Sequence, residues 1–311
     1  MVSGSQDMPV IKPLVSVGIP TYNRPAGLRH TLECITRQTY RNLEIIVSDN
    51  CSPGPETEQV VRGFMEKDPR IQYYRQEANK GPTHNIEFVI GKSTGDYVMC
   101  AADDDGWEDT YIEKCLQEFL KNDALVLCYS EAAKWDDASQ QKSILASDIT
   151  TVGMGKLSGI KKLLLNQYRN IEFYGLMKAD VAQTYTFKNF FGEDNAFVLF
   201  LALHGEVGRT EPGLFINGPG FAGCSPTNTT QSLGLHRLNS YFGYIFLIFN
   251  SIKMLFEYKF DLTAFEKAAI IALIFRRAIT VRYLAAIKLG FTSLFRDFIG
   301  STGVNRQGTG D

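Results

Sequence analysis

Between residues 13 and 130, short β-branched runs alternate with amphipathic segments, and this alternation restricts the fold more than any other feature of the chain. Pro13-Leu14-Val15-Ser16-Val17-Gly18-Ile19-Pro20 reads as a buried strand closed by proline. Residues 27–38 carry Leu28, Leu32 and Ile35 on one helical face, and Leu43-Glu44-Ile45-Ile46-Val47-Ser48 is a second strand ending at Asp49-Asn50. The pattern then repeats as a helix over 56–67, a strand over 71–75, a helix over 83–91, a strand over 97–102, a helix over 109–121 and a strand over 124–130. Strand, helix and strand in succession imply parallel pairing with right-handed crossovers. The expected class is α/β: a mainly parallel sheet flanked by helices, with its working loops beyond the carboxyl ends of the strands.

One of those ends is unusual. The run Tyr97-Val98-Met99-Cys100-Ala101-Ala102 delivers Asp103-Asp104-Asp105, three adjacent carboxylates that repel one another. A divalent cation relieves such repulsion, because Mg²⁺ and Mn²⁺ prefer carboxylate oxygen. An acidic cap for the helix that follows reads equally well from the triplet alone. The topology breaks the tie, since it brings Thr21, Asp49 and Asp103 to one edge of the sheet around one crevice.

Composition excludes some alternatives. The 311 residues are 44% hydrophobic and 21% charged, ordinary values for a folded globular protein. A net charge of -2 provides no bulk electrostatic case for nucleic acid. Cys34, Cys51, Cys100, Cys115, Cys128 and Cys224 show no C-x-x-C spacing and read as packed thiols in a reducing compartment. Cys224 has no identifiable histidine partner for nucleophilic work. The first twelve residues lack a basic region followed by an apolar core, so a cytoplasmic location is expected and the sequon at Asn228 has no use.

Pro20-Thr21-Tyr22-Asn23-Arg24, the strand ending at Asp49, Asn79-Lys80-Gly81 with His84-Asn85, and Gly95-Asp96-Tyr97 leading into the acid triplet together resemble the inverting family 2 glycosyltransferases of the GT-A fold. Many members carry an acid where this chain has Ala102. The resemblance implies a nucleotide sugar as donor and a bound Mn²⁺ or Mg²⁺. It implies that Asp104 is the principal metal ligand with Asp105 assisting, and that Asp103 faces the ribose or the metal's water shell. Pro20, Thr21, Tyr22, Asn23 and Arg24 would wrap the nucleotide, with Asp49 accepting the uracil imide hydrogen and Asn79 and Asn85 beside base and ribose. For Asp49, a turn acid bonded near Asn50 and Ser52 is the competing reading. Inversion needs a general base for the acceptor hydroxyl. Within Phe190-Phe191-Gly192-Glu193-Asp194-Asn195 the matching residue is Asp194, with Glu193 its neighbour and rival. Both acids also favour the amino terminus of the helical run after them.

The expected organisation is a tail over 1–12, a nucleotide-sugar-binding half over 13–130, an acceptor-binding half over 131–235 and a helical region over 236–311. Glycines between 130 and 193, and the Gly, Pro and Thr content of 210–230, predict acceptor-facing loops and a lid. No apolar run reaches the roughly 18 to 20 residues of a membrane span. Residues 241–298 read as a bundle packed on the catalytic unit or on a second copy, or as a peripheral membrane contact through Phe275, Ile279, Tyr283, Ile287 and Phe291. The expected activity is metal-dependent transfer of a hexose or N-acetylhexosamine, UDP-linked, to a glycan or lipid-linked saccharide in surface polysaccharide synthesis. A catalytically silent nucleotide-sugar-binding partner is the alternative, which the retained acids disfavour.

Overall fold

The computed structural model describes residues 12–136, 141–145, 149–166, 170–216 and 237–279. The amino-terminal unit follows the expected alternation: β1 (Val15–Thr21), α1 (Pro25–Thr36), β2 (Leu43–Asp49), α2 (Glu56–Met65), β3 (Ile71–Arg75), α3 (Pro82–Lys92) and β4 (Tyr97–Cys100). After the acid triplet come β5 (Gly106–Trp107), α4 (Tyr111–Lys121) and β6 (Leu125–Tyr129). Trp107 is therefore in a strand, and α4 begins beyond Thr110. The acids do not cap a helix, which removes that reading of the triplet.

Residues 131–216 are more regular than the loops expected of them. They form β7 (Ala132–Asp136), β8 (Gln141–Leu145), α5 (Lys156–Asn166), a 3-10 turn at Ile171–Tyr174, β9 (Leu176–Lys178) and α6 (Ala179–Ala182). Then follow α7 (Glu193–His204), β10 (Glu206–Arg209) and β11 (Phe215–Ile216). The expected lid falls mostly on residues outside those described.

Seven strands form one sheet in the order β10-β6-β9-β4-β1-β2-β3. β1 runs parallel to β2 and β4, β2 to β3, and β6 to β10, while β9 is antiparallel to both β4 and β6. An antiparallel strand starts where its parallel neighbours end. The 3-10 turn ahead of β9 therefore lies at the same edge as Thr21, Asp49 and Asp103, with Met177 opposite Val98 fixing the register. The second sheet, β5-β11-β7-β8, joins the triplet's own exit to β11.

Alternation along the strands divides the interior into two layers. Val17, Ile19, Ile45, Val47 and Met99 pack with Leu28, Leu32, Trp107 and Ile112 on one face. Ile46, Val98, Cys100 and Leu127 pack on the other with Val89, Phe197, Phe200 and Leu201. The carboxyl-terminal helices α8 (Arg237–Glu257) and α9 (Ala264–Ile279) complete this second layer, burying Met254, Leu255, Phe260, Ile270 and Ile274 against α5 and α7. At about 1.5 to 3 kcal/mol for each large apolar side chain, these helices are part of the core. Packing on the catalytic unit is thus the arrangement seen. Arg277 continues α9 instead of opening a new helix, and the stripe from Tyr283 to Phe291 lies outside the described residues.

One close approach fixes the triplet. Gly27, in the first turn of α1, lies against the backbone of Asp103, and a Cβ there would collide with the Asp103 carbonyl oxygen. Four residues on, the buried Thr31 hydroxyl is 2.9 Å from the Ala102 carbonyl oxygen and 3.1 Å from that of Asp105. Gly27→Ala improves helix propensity by about 1 kcal/mol, yet it forces backbone apart at a packed contact, which costs about 1 to 3 kcal/mol. Urea denaturation is expected to show a lower midpoint for Gly27→Ala than for the wild type, whereas Gly63→Ala, in open space on α2, raises it.

Candidate active site

The site is built where β1, β2 and β4 end. Pro20 and Thr21 close β1, and Thr21 stands in register with Asp49 at the end of β2. The Thr21 hydroxyl donates to Asp103 Oδ2 at 2.7 Å. Asn23 then turns the chain with φ at +54°, its N–H donating to Ser52 Oγ at 2.8 Å. That left-handed residue, of a type that tolerates the conformation, places Arg24 at the amino end of α1.

A single Arg24 guanidinium nitrogen lies 3.1 Å from Asp103 Oδ1 and 3.0 Å from Asp104 Oδ2. Two carboxylates therefore converge on one cation position, presenting the hard oxygen donors that Mg²⁺ and Mn²⁺ favour. The carboxylate that converges with Asp104 is that of Asp103, where the sequence paired Asp104 with Asp105. Asp105 is 4% exposed and acts on Arg24 only through space. Among the described residues, no group of three or more His, Cys, Asp or Glu side chains forms a complete metal cage. Burial pushes the Asp103 carboxyl up, against the opposing pull of Thr21 and Arg24.

The nucleotide-binding candidates divide into exposed and structural groups. Tyr22, the residue after β1, is 43% exposed. Asp49 is fully buried: Oδ1 accepts from the Ser52 N–H at 2.8 Å and hydroxyl at 2.6 Å, and Oδ2 from the Tyr73 hydroxyl at 2.9 Å. In this geometry Asp49 ties the β2 turn to β3, as the turn-acid reading anticipates. Asn85 is also buried, exchanging bonds with the Ser48 hydroxyl at 2.5 Å and the Ser48 carbonyl at 2.9 Å. Exposed Asn79 organises its own loop, its Oδ1 accepting from Asn50 at 2.8 Å and the Gly81 N–H at 2.9 Å. Ser52, Tyr73 and the partly exposed Arg75 belong to the same network. Sequence reading named Ser52 in the turn-acid alternative but missed Tyr73 and Arg75, because each is an ordinary residue at an ordinary spacing.

Glu193 and Asp194 begin α7; they do not precede it. Gly192, with φ at +82°, makes the turn that a side chain would strain, and a Cβ there would also press on Leu247 at 2.9 Å. The two adjacent acids meet opposite environments. Glu193 is buried, its Oε1 accepting from the Tyr185 hydroxyl and the Lys188 N–H, both at 2.8 Å, while Oε2 has no partner among the described residues. Burial raises its pKa from 4.5 to about 8. Asp194 is half-buried; its Oδ1 accepts from the Asn195 N–H at 2.9 Å and Nδ2 at 3.1 Å, and Oδ2 takes up no hydrogen bond among the described residues.

Tyr174 links the two acidic groups. Its ring stacks on Phe215 at 5.4 Å, and its carbonyl accepts from the Tyr111 hydroxyl at 3.0 Å. Burial pushes the phenol up, and the charges of Asp105, Asp194 and Asp104 push the same way. The triplet and Asp194 thus both lie within electrostatic reach of Tyr174. The only signal for Tyr174 in the sequence would have been its position ahead of an edge-entering strand, which periodicity did not reveal.

The chain belongs to glycosyl transferase family 2, whose family model matches residues 16–185. A Campylobacter jejuni GalNAc(5)-diNAcBac-PP-undecaprenol beta-1,3-glucosyltransferase is 31% identical over 176 residues, 52% of this chain and 57% of that protein's length. The fold is similar to that of S. aureus TarS 1-349, with a TM-score of 0.62 and 16% identity over 86% of this chain and 72% of that one. TarS 1-349 has also been solved with UDP-GlcNAc. A mannosyltransferase of Pyrobaculum calidifontis, solved with GDP-Man and Mn²⁺, covers 96% of this chain and 78% of its own at a TM-score of 0.58 and 14% identity.

The opposite surroundings of the two α7 acids generate a test. A carboxyl whose folded pKa is raised holds its proton more tightly folded than unfolded, so stability falls as pH rises between 4.5 and about 8, by about 1.4 kcal/mol per unit. Glu193→Gln is expected to flatten the pH dependence of the thermal midpoint over that window while retaining transfer activity. A Glu193→Gln protein that folds but is inactive would transfer the base role to Glu193.

Proposed function

We propose that this chain is a metal-dependent, inverting glycosyltransferase that moves a hexose or N-acetylhexosamine from a UDP-sugar to a saccharide or lipid-linked saccharide acceptor. The observation that carries the reading is the arrangement of charge around one edge: Asp103 and Asp104 aimed at one cation position, and an Asp194 oxygen left unengaged nearby. The lipid-linked acceptor rests on the printed activity of the Campylobacter relative. The UDP and Mn²⁺ assignments draw on the ligands of the two structural neighbours. Surface polysaccharide synthesis at the cytoplasmic face is the setting proposed.

Asp103 and Asp104 would hold Mn²⁺ or Mg²⁺, with the donor's diphosphate completing the ligand set. A cation bound there supplies the positive charge that stabilises the departing diphosphate. Arg24 neutralises these carboxylates at that position in the structure, and with a metal there its guanidinium would be released toward the diphosphate. Thr21 orients Asp103, and the open Tyr22 ring lies where a base can stack. Asp194 acts on the other substrate: Oδ2 takes the acceptor hydroxyl's proton as that oxygen attacks the anomeric carbon from the face opposite the leaving group. Glu193, largely protonated at neutral pH, is unsuited to that task and braces the 185–193 turn. One displacement with one base inverts the anomeric centre.

On its outer side the α8 and α9 pair exposes Ile245, Phe249, Phe256, Phe265 and Phe275. No helix among the described residues is long and apolar enough to cross a membrane. We extend the proposal to a peripheral contact through this face, which would bring the crevice to acceptors whose lipid lies in the bilayer.

The first experiment is a thermal-shift panel of UDP-, GDP- and dTDP-sugars with and without Mn²⁺, in which a UDP-sugar with Mn²⁺ is expected to raise the midpoint most. Asp104→Ala should abolish the metal-dependent part of that shift. Asp194→Asn should retain it while losing about 10² to 10⁴ in transfer rate. Full transfer by Asp194→Asn would move the base elsewhere, and a GDP-sugar preference would overturn the UDP assignment. Liposome flotation of the intact chain against Phe249→Ser/Phe256→Ser tests the peripheral contact, which equal recovery in the lipid fraction would refute.

A further inference from the structure

Asp194 is held by a residue that is itself held by the carboxyl-terminal region. The Asn195 side-chain nitrogen donates to Asp194 Oδ1 at 3.1 Å. The Asn195 side-chain oxygen in turn accepts from Arg277 Nη2, on α9, at 3.2 Å. An amide has one acceptor end and one donor end. By engaging the oxygen, the guanidinium fixes which way round the amide stands, and this turns the NH₂ group toward Asp194. Without Arg277 the amide is free to flip, and an amide oxygen facing a carboxylate oxygen is repulsive. The acid would then rotate away.

The relay is partly sheltered. Asn195 and Arg277 line a small pocket together with Leu164, Leu199, Leu247, Ile248, Ser251 and Ile274. Their hydrogen bond is part-buried, and one shielded in part from water is stronger than one in the open. Four helices meet here: α5 supplies Leu164, α7 carries Asp194, α8 supplies Leu247, and α9 brings Arg277, which is 82 residues beyond Asn195.

We infer that Asn195 and Arg277 are positioning residues that orient the Asp194 carboxylate, so that the carboxyl-terminal helices form part of the catalytic apparatus as well as the core. The inference rests on the reading of Asp194 as the base. It assigns α9 a role that the family match, which ends at residue 185, does not cover. The relay leaves Oδ2 turned outward by occupying Oδ1 from two directions, the Asn195 backbone and the Asn195 side chain.

The test uses the full chain. UDP release by water is measured for the UDP-sugar and Mn²⁺ combination that gives the largest thermal shift, and crystal structures are determined for the wild type and Arg277→Ala. Arg277→Ala is expected to lower kcat about 10- to 100-fold, the order expected when a reacting group is misplaced by about an ångström, with the donor KM unchanged. Arg277→Lys, which keeps one N–H donor, should recover most of that loss. Asn195→Ala should match Arg277→Ala, and the double variant should lose no more than the worse single one, because both act through one carboxylate. In the Arg277→Ala crystal the Asp194 side chain should leave its Oδ1–Asn195 contact. An unchanged Asp194 rotamer, or multiplicative losses in the double variant, would overturn the relay. Wild-type activity in Asp194→Asn would instead remove the base on which it acts, whereas an inactive Asp194→Asn beside a fully active Arg277→Ala would defeat the relay alone.

Discussion

The contact between the first turns of α1 and the backbone of the acid triplet is the constraint on which the site depends. Three neighbouring carboxylates would splay on a free loop. Here Gly27 lets the helix touch the Asp103 carbonyl, and Thr31 reaches the carbonyls of Ala102 and Asp105. The loop is thereby pinned by its main chain, independently of its carboxylates. Arg24, at the start of the same helix, supplies the charge that makes the pairing of Asp103 with Asp104 tolerable. One helix thus fixes the position, the backbone and the electrostatics of the anionic centre.

Glu193 and Asp194 show how burial assigns chemistry to adjacent residues of the same kind. The first turn of a helix sends consecutive side chains about 100° apart, so the first acid enters the interior and the second stays half-buried. Desolvation then holds one proton on Glu193 up to about pH 8, while Asp194 keeps an oxygen with no hydrogen bond among the described residues. Gly192 makes this division possible through its left-handed turn. The aromatic cluster of Tyr185, Phe187, Phe197 and Phe200 beneath Glu193 provides the low-polarity medium.

Much of the architecture was legible from local patterns. Strands of alternating side chains and helices with apolar faces identified every main element up to residue 130, to within a few residues at each end. The carboxyl ends of β1, β2 and β4 were brought together by topology alone, because parallel strands all end on one edge. Less legible was the 131–192 stretch, where glycines looked like loops but short strands found partners far away in sequence. Asp49 and Asn85 look like ligand contacts in a linear motif, and in the structure their side chains also bond Ser52, Tyr73 and Ser48. A motif names residue types and cannot tell which hydrogen bonds those residues have already spent on their neighbours.

The sequence by itself determined the α/β class, the family, the crevice edge and the identity of the acids around it, because these follow from periodicity, chain order and chemistry that is local. Tertiary structure alone decided which two of three aspartates converge, which of Glu193 and Asp194 is buried, and that Tyr174 and Arg277 stand near them. Those outcomes depend on desolvation and on contacts between residues up to 82 positions apart. Neither quantity exists until the chain has folded.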